Sequence, residues 1–428
     1  MMPLRMPFRM SLRATTALTL LIAPCLSAAP VMYGMDVLMR EELGSLEGKR
    51  VAVCCNHTAV TYEGEHLLDA LHREGVNIAA IFAAEHGIRG TEHTTGSTAT
   101  DEATGAPIYS LYDDTREPLP EELDGVDVFL FDLPDIGCRF YTYISTMAHV
   151  IEGCAKAGVE VVILDRPNPI SGRHPEGAIA VEDVQRGFTS FYPIPTRHGL
   201  TTGEIALMAV GEGWLNLPDG GVDMRVIPAQ HWTRAVYGDS IDREFIRPSP
   251  NISGVEAALT YPGVGLFEST PFSAGRGTMI PFLIMGTPFI DAEDYCARLT
   301  SYELPGVEFM PATWTPEPNA GIPARWLKYN GEECGGVFIT VTDREIFRPV
   351  MTGTAMVWTV YEMYPEESSL RDSRRSMDTM FGDPRVYDMT QAMVSGESTA
   401  MGWRELVDSW EGPVEAYWAK AQEYMLYE

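Results

Sequence analysis

The chain has 428 residues, and its 60 acidic residues outnumber its 31 Lys and Arg residues, which gives a formal net charge of −29. This balance argues against a broad surface for nucleic acid or anionic membrane, because polyphosphate binding requires clustered cations. Hydrophobic residues make up 45% of the chain, which is enough for large cores and excludes disorder as the overall state.

The first 28 residues have the pattern of a secretory signal. Three arginines precede an apolar run at 14–23, and small residues follow at 26–28, where a signal peptidase would cut. We predict cleavage after Ala28 and export to the periplasm or the extracellular space. A lipid anchor on Cys25 is the alternative, although Pro24 directly before it disfavours that anchor. No later stretch is long and apolar enough to span a membrane, so we predict no stable membrane insertion.

Apolar runs then alternate with helical patterns. The predicted strands are 51–55, 78–83, 126–131, 159–164 and 224–227, and the predicted helices are 67–74, 144–157 and 201–210. This alternation is typical of a parallel sheet covered on both faces. We therefore predict the α/β fold class, with a Rossmann-like domain over residues 36–290.

The pattern changes near residue 291, after a region rich in Pro and Gly. A helix at 291–300, strands at 307–310 and 336–341, and two or three further helices predict a smaller C-terminal α/β domain over 291–428. No zinc-type cysteine spacing and no glycine-rich nucleotide fingerprint is present in the sequence. We predict neither a metal nor an organic cofactor, and no nucleotide.

Polar residues follow four of the predicted strands directly. The segments are NHT (56–58), EHGIRG (85–90), DLPDIGCR (132–139) and DRPNP (165–169). In open α/β sheets, ligands bind beyond the carboxyl ends of the strands. The four loops therefore predict one shared pocket.

These loops belong to longer motifs that resemble the exo-β-N-acetylmuramidase family of peptidoglycan hydrolases, glycoside hydrolase family 171. The matching segments include TGAPIYSLY (104–112), DLPDIGCRFYTYISTM (132–147), PIPTRHGLTTGEIA (193–206), RPSPNI (247–252) and SAGRGT (273–278). The resemblance covers about residues 36–428. It implies an exo-acting enzyme that releases N-acetylmuramic acid from the non-reducing end of peptidoglycan-derived saccharides, with its site in the cleft between the two domains.

Glycoside hydrolysis usually needs two carboxyl groups, whereas a 2-acetamido sugar can also use its own carbonyl as the nucleophile. We predict catalytic roles for Glu85, Glu176 and Glu268. Glu85 is the first choice for acid or base, because it follows an apolar strand directly. Glu204 is set aside, since its place in a capping box explains it. Retaining, inverting and substrate-assisted mechanisms all stay open.

The predicted substrate-binding residues are Asn56, His57, His86, Asp132, Asp135, Arg139, Arg166, His198 and Arg276. A planar guanidinium suits the lactyl carboxylate of N-acetylmuramic acid, and an amide side chain suits its acetamido group. For each residue the alternative is a structural ion pair or hydrogen bond. The aromatic run at 140–143 is expected to be core, and stacking of one ring on the ligand is the alternative.

Two other functions compete with the muramidase hypothesis. One is a metal-dependent hydrolase that uses His57, Glu85, His86 and Asp132. The other is a non-catalytic protein that binds cell-wall glycan. The oligomeric state does not follow from the sequence.

Overall fold

A computed structural model describes residues 29–85, 87–88, 99–112, 115–318, 322–368 and 374–428. The predicted signal at 1–28 and the predicted binding residue His86 lie outside these ranges. Within them, no helix combines the length and the apolar character that crossing a bilayer requires.

The larger domain is built on a seven-stranded sheet with the order β3-β4-β2-β1-β5-β6-β7. All pairs are parallel except the short edge pair between β3 and β4. The strands are β1 Arg50–Cys55, β2 Asn77–Ala83, β3 Ala99–Thr100, β4 Pro107–Ser110, β5 Val128–Asp132, β6 Glu160–Leu164 and β7 Met224–Ile227. The five predicted strands are confirmed, and the parallel sheet confirms the α/β fold class.

Side chains alternate between two cores on the opposite faces of this sheet. Val51 and Val53 point into one core with α2, whereas Ala52 and Cys54 point into the other with α3 and α4. The helices of this domain are α1 Gly34–Val37, α2 Leu67–Arg73, α3 Tyr143–Ala157 and α4 Thr202–Gly211. Both faces are covered, which explains why the strands are almost continuously apolar.

Local signals set the ends of the long helices. Gly158 ends α3 in the left-handed conformation, with φ 72°, which glycine adopts without a steric penalty. Thr201 and Glu204 form the predicted capping box at the start of α4. Arg234 also pairs with Glu204, and both side chains are buried, so the structure gives Glu204 a structural role.

A three-stranded antiparallel sheet with the order β8-β10-β9 forms the centre of the second domain. Its strands are β8 Ile284–Thr287, β9 Val307–Trp314 and β10 Cys334–Val341, and its helices are α5 Val255–Val264, α6 Ala292–Thr300, α7 Pro349–Met363, α8 Pro365–Ser368, α9 Arg374–Phe381, α10 Arg385–Val394, α11 Trp403–Asp408 and α12 Glu411–Ala421. β8 pairs with β10, and α5 packs against α7. The predicted domain boundary at residue 290 therefore lies after α5 and β8, both of which pack with the second domain.

Candidate active site

The carboxyl edge of the large sheet brings together three of the four predicted loops. The strand order reverses between β1 and β5, since the chain builds outward from β1 on one side and from β5 on the other. Open α/β sheets bind ligands at such a switch point. A cavity lies there, lined by Thr58 after β1, Asp135 after β5 and Arg166 after β6.

A buried ion pair supports this cavity. The Arg166 guanidinium donates to the two carboxylate oxygens of Asp132 at 2.6 and 2.9 Å, and to Thr58 Oγ1 at 3.0 Å. Asp132 is fully buried, whereas Arg166 lines the cavity. A bidentate pair fixes the direction of the guanidinium. These two predicted residues therefore tie together the ends of three adjacent strands.

Asp135 and His198 are a second predicted pair that the structure brings together. His198 Nε2 lies 2.9 Å from Asp135 Oδ2, and the amide of Gly137 donates to the same oxygen at 2.5 Å. Both side chains are almost fully buried. Asp135 Oδ1 has no hydrogen-bond partner among the described residues, so one oxygen of an oriented carboxylate is unpaired.

Glu85 lies two residues after β2 and receives a hydrogen bond on each carboxylate oxygen. Tyr112 donates to Oε1 and Thr142 donates to Oε2, each at 2.9 Å. The hydroxyl of Tyr143 donates to the backbone carbonyl of Glu85 at 3.0 Å and accepts from Asn56 Nδ2 at 3.1 Å. The predicted acid–base residue and the predicted Asn56 are thus connected through one tyrosine.

Glu268 and Arg276 form an ion pair at 2.9 Å, with side chains 30% and 29% exposed. Burial by itself lowers the pKa of Arg276, but nearby Glu268, Tyr261 and Glu85 raise it above its usual value. Glu268 and Arg276, two predicted site residues, are therefore paired with each other, and the charge of Glu85 also acts on Arg276.

Tyrosine rings occupy the same region. Tyr141 packs edge-on against Tyr143 and Tyr261, with ring centroids 5.1 and 6.1 Å apart. Its hydroxyl is buried without a partner in the described part of the chain. Burial first, and then neighbours that include Glu85 and Asp135, raise the pKa of Tyr141 well above its ordinary value. The phenol therefore remains a protonated donor.

Glu176 lies in a different cavity, whose lining includes Arg173, Arg348 and Trp410 but neither Glu85 nor Glu268. Its carboxylate accepts the amides of Val350 and Met351 at 3.2 and 2.7 Å, in the first turn of α7. Burial raises the pKa of Glu176. Because this carboxylate caps a helix, its geometry indicates a structural role, and it does not enter the mechanism proposed below.

Arg139 also differs from its predicted role, since it does not line the cavity at the switch point. Its fully buried guanidinium donates to Ser190 Oγ at 2.6 Å, Thr379 O at 2.9 Å and Met380 O at 2.8 Å. Burial lowers the pKa of Arg139 to about 10. The structure therefore assigns Arg139 to the junction of the two domains, where it holds the end of α9.

His57 connects the loop after β1 to the segment that begins at Arg247. Its Nε2 lies 2.8 Å from the carbonyl oxygen of Arg247. Within the described ranges, His57 Nδ1 has no hydrogen-bond partner. The residue that follows His57, Thr58, lines the cavity, so His57 lies close to the site. His86 lies outside the described residues.

One group among the described residues has the spacing of metal ligands, namely Glu117, His149 and Glu152. Lys156 pairs with Glu117, and Arg186 pairs with Glu152, so salt bridges already occupy both carboxylates. The group contains none of the residues of the metal-dependent alternative. We derive no chemistry from it.

Tyr112 and Thr142, which contact Glu85, were not predicted, and Tyr141 was expected to be core, with stacking of one ring of its run on the ligand as the alternative. They stand in the motifs at 104–112 and 132–147. Their place inside those motifs was the available signal. Their aromatic or neutral character made them resemble core and helix-start residues instead.

The fold and this site define an α/β protein with a cavity at the switch point and an oriented glutamate after β2, features suited to acid–base hydrolysis. The family models for the N-terminal and C-terminal parts of exo-beta-N-acetylmuramidase NamZ match residues 51–256 and 259–427. The chain belongs to the exo-β-N-acetylmuramidase NamZ family, which confirms the family predicted from the motifs.

Known proteins support this membership. Peptidoglycan beta-N-acetylmuramidase NamZ of Bacillus subtilis (strain 168) is 35% identical over 400 residues, which cover 93% of this chain and 91% of that protein. Crystal structures of two DUF1343 family proteins from Bacteroides fragilis NCTC 9343 are also similar, with TM-scores of 0.83 and 0.71 and identities of 32% and 29%. Each match covers 93% of this chain and 99% of the other.

Proposed function

We propose that this chain is an exo-acting β-N-acetylmuramidase, a glycoside hydrolase that releases non-reducing terminal N-acetylmuramic acid from peptidoglycan fragments. One observation carries the proposal beyond family membership: hydrogen bonds fix both carboxylate oxygens of Glu85, and the second predicted glutamate, Glu268, pairs with Arg276. Two carboxyl groups are what hydrolysis of a glycosidic bond usually requires.

In this mechanism Glu85 is the general acid that protonates the leaving oxygen. Tyr112 and Thr142 fix both of its carboxylate oxygens, and fixed geometry is a large part of acid–base catalysis. Glu268 holds Arg276 beside it, so that a positive charge is available to an anionic group of the sugar. The Arg166–Asp132 pair supports the floor of the cavity.

We also propose that the protein acts outside the cytoplasm, because residues 1–28 have the pattern of an export signal. Cell-wall saccharide is then its partner in the periplasm or the extracellular space. N-terminal sequencing of the protein purified from whole cultures of its own host is the direct test. A mature chain that starts after Ala28 supports export, and an intact Met1 contradicts it.

The decisive experiment incubates the purified protein with a chromogenic β-N-acetylmuramide and with a peptidoglycan fragment that ends in N-acetylmuramic acid. We expect release of the chromophore and of free N-acetylmuramic acid. Binding without release would instead favour the glycan-binding alternative. A stoichiometric metal in active protein, together with loss of activity on chelation, would favour the metal-dependent alternative.

A further inference from the structure

Two buried polar atoms of the segment that follows β5 are unpaired. They are Asp135 Oδ1 and the hydroxyl oxygen of Tyr141, neither of which has a hydrogen-bond partner among the residues described. Asp135 is 7% exposed and Tyr141 is 8% exposed. Unpaired buried polar groups reduce stability. Asp135 lines the cavity at the switch point, so a ligand bound there would satisfy its unpaired oxygen.

The hydrogen bonds of His198 show which oxygen of Asp135 is bonded and which one is unpaired. The amide of Leu200 donates to His198 Nδ1 at 3.1 Å, so in the neutral ring the proton is on Nε2. That nitrogen donates to Asp135 Oδ2 at 2.9 Å, and the amide of Gly137 donates to the same oxygen. The carboxylate is therefore fixed in direction, and Oδ1 is an acceptor that no protein group uses.

Tyr141 supplies the complementary donor. Edge-on packing against Tyr143 and Tyr261 fixes its ring, and its hydroxyl stays protonated in this buried, acidic environment. Tyr143, against which its ring packs, donates to the backbone carbonyl of Glu85. The segment after β5 thus offers one fixed acceptor and one fixed donor.

A secondary amide presents the matching groups, an N–H donor and a carbonyl acceptor. On the basis of the proposed function, we propose that Asp135 and Tyr141 bind the 2-acetamido group of the terminal sugar, and that the acetamido oxygen is the nucleophile. Asp135 Oδ1 accepts the amide N–H, and the Tyr141 hydroxyl donates to the carbonyl oxygen. The reaction is then substrate-assisted.

Both steps balance without a cofactor. In the first, the acetamido oxygen bonds to C1, the C1–O bond to the leaving group breaks, and the leaving oxygen takes its electron pair and the proton of Glu85. The cyclic oxazolinium ion carries a positive charge, which the Asp135 carboxylate offsets. In the second step water attacks C1, Glu85 takes its proton, and the bond from C1 to the acetamido oxygen breaks to restore the amide. The β configuration is retained.

A substrate series tests the nucleophile directly. Chromogenic muramides with N-acetyl, N-fluoroacetyl, N-difluoroacetyl and N-trifluoroacetyl groups differ in how electron-rich the carbonyl oxygen is. We expect kcat to fall at each added fluorine in the native enzyme. Equal kcat across the series would overturn this proposal and leave the proposed function intact. No hydrolysis of the parent N-acetyl compound would contradict the proposed function itself.

A pair of tyrosine variants tests the donor. Tyr141→Phe removes an oxygen that no described residue binds, so we expect no fall in melting temperature but about a 100-fold lower kcat/KM. Tyr295→Phe is the matched control, because its buried hydroxyl donates to Met356 O at 2.9 Å in the second domain. We expect that variant to lose stability and keep its activity. Native kcat/KM in Tyr141→Phe would exclude the hydroxyl from the reaction.

Asp135→Asn tests the acceptor while keeping the shape of the side chain. We expect a loss of kcat of about 100-fold or more, since an amide cannot offset the oxazolinium charge. A thiazoline analogue of the bicyclic intermediate should bind the native protein more tightly than the variant. Equal binding of the analogue together with native kcat would overturn the role of Asp135.

Discussion

Groups from other segments of the chain hold both the side chain and the backbone of Glu85. Tyr112 and Thr142 hold its carboxylate, and Tyr143 holds its backbone carbonyl. A side chain restrained at both oxygens loses little further entropy when a substrate binds. The restraint is therefore consistent with a group that must meet one oxygen atom of the ligand.

We expect Glu85→Gln to lower kcat about 1,000-fold with a modest change in KM, because the amide keeps the shape but cannot transfer the proton. Steady-state kinetics on the chromogenic muramide measures both constants. Glu63→Gln is the control, since that carboxylate is 58% exposed and pairs with Arg40 at the surface. Near-native turnover in Glu85→Gln would remove Glu85 from the mechanism.

For a substitution of Arg139 we expect the opposite result, namely lower stability with unchanged catalytic activity. Arg139→Met leaves the hydroxyl of Ser190 and two backbone carbonyls without their buried donor. We expect unfolding free energy to fall by about 2–4 kcal/mol, measured by urea denaturation. The folded variant should keep native kcat/KM, and a selective loss of activity would return Arg139 to the binding site.

Arg139 also shows where prediction from the sequence fails. Arg139 stands in the same motif as Asp135, so the two looked alike as site residues. Their partners differ, because Met380 lies 241 positions after Arg139 and on a different domain. No local pattern reports such a contact. By contrast, Glu204 was correctly read as a cap, since its partner Thr201 is only three residues away.

Lys328 stabilises the turn that carries Glu268. Lys328 Nζ lies 2.6–3.3 Å from four backbone carbonyl oxygens, those of Phe267, Glu268, Thr270 and Phe272, which share its three N–H donors. These carbonyls lie in and just after the 3₁₀ turn at 265–269. A cation at the carbonyl end of a helical turn satisfies acceptors that have no partner in the turn itself.

We expect Lys328→Met to lower kcat/KM about 10- to 100-fold, because releasing the turn displaces Glu268 and Arg276 from their positions. Lys328→Arg should restore part of the activity, since a planar guanidinium keeps the charge but not the same four contacts. Lys420→Met, at an exposed surface pair, controls for the loss of one cation. Unchanged kinetics in Lys328→Met would mean that the turn holds its shape unaided.

Element types followed well from the sequence where the apolar runs were long. The runs at 51–55 and 78–83 became β1 and β2 almost residue for residue. Three short strands, β3, β4 and β8, were not predicted. They are two to four residues long and follow Gly- or Pro-rich segments, so they depend on pairing with neighbouring strands and not on their own pattern.

At the scale of the whole molecule, the segment at 426–428 closes onto the large sheet. The Tyr427 hydroxyl donates to Asp165 Oδ2 at 2.5 Å, and the amide of Leu426 donates to Glu204 Oε1 at 2.8 Å. Arg234 donates to the carbonyl of Tyr427 at 3.2 Å. Burial, followed by the charge of Glu204, raises the pKa of Asp165 to about 6.

The raised pKa of Asp165 predicts how the stability of the protein changes with pH. An ordinary aspartate titrates near 3.8, so between about pH 4 and pH 6 the folded protein holds a proton that the unfolded chain releases. Stability therefore falls across that window as pH rises, by up to about 3 kcal/mol from this group. Urea denaturation at pH 4, 5, 6 and 7 measures it. In Asp165→Asn that component should be missing, and a profile parallel to the native one would contradict the assignment.

The contact between Tyr427 and Asp165 joins residues 262 positions apart. The buried carboxylate in the loop after β6 therefore stays uncovered during synthesis until almost the entire second domain has been made. Contacts this distant in sequence form late, so the larger domain reaches its final state only after the smaller one has been made. The buried Asp165 carboxylate therefore lacks its Tyr427 partner until residue 427 has been added to the chain.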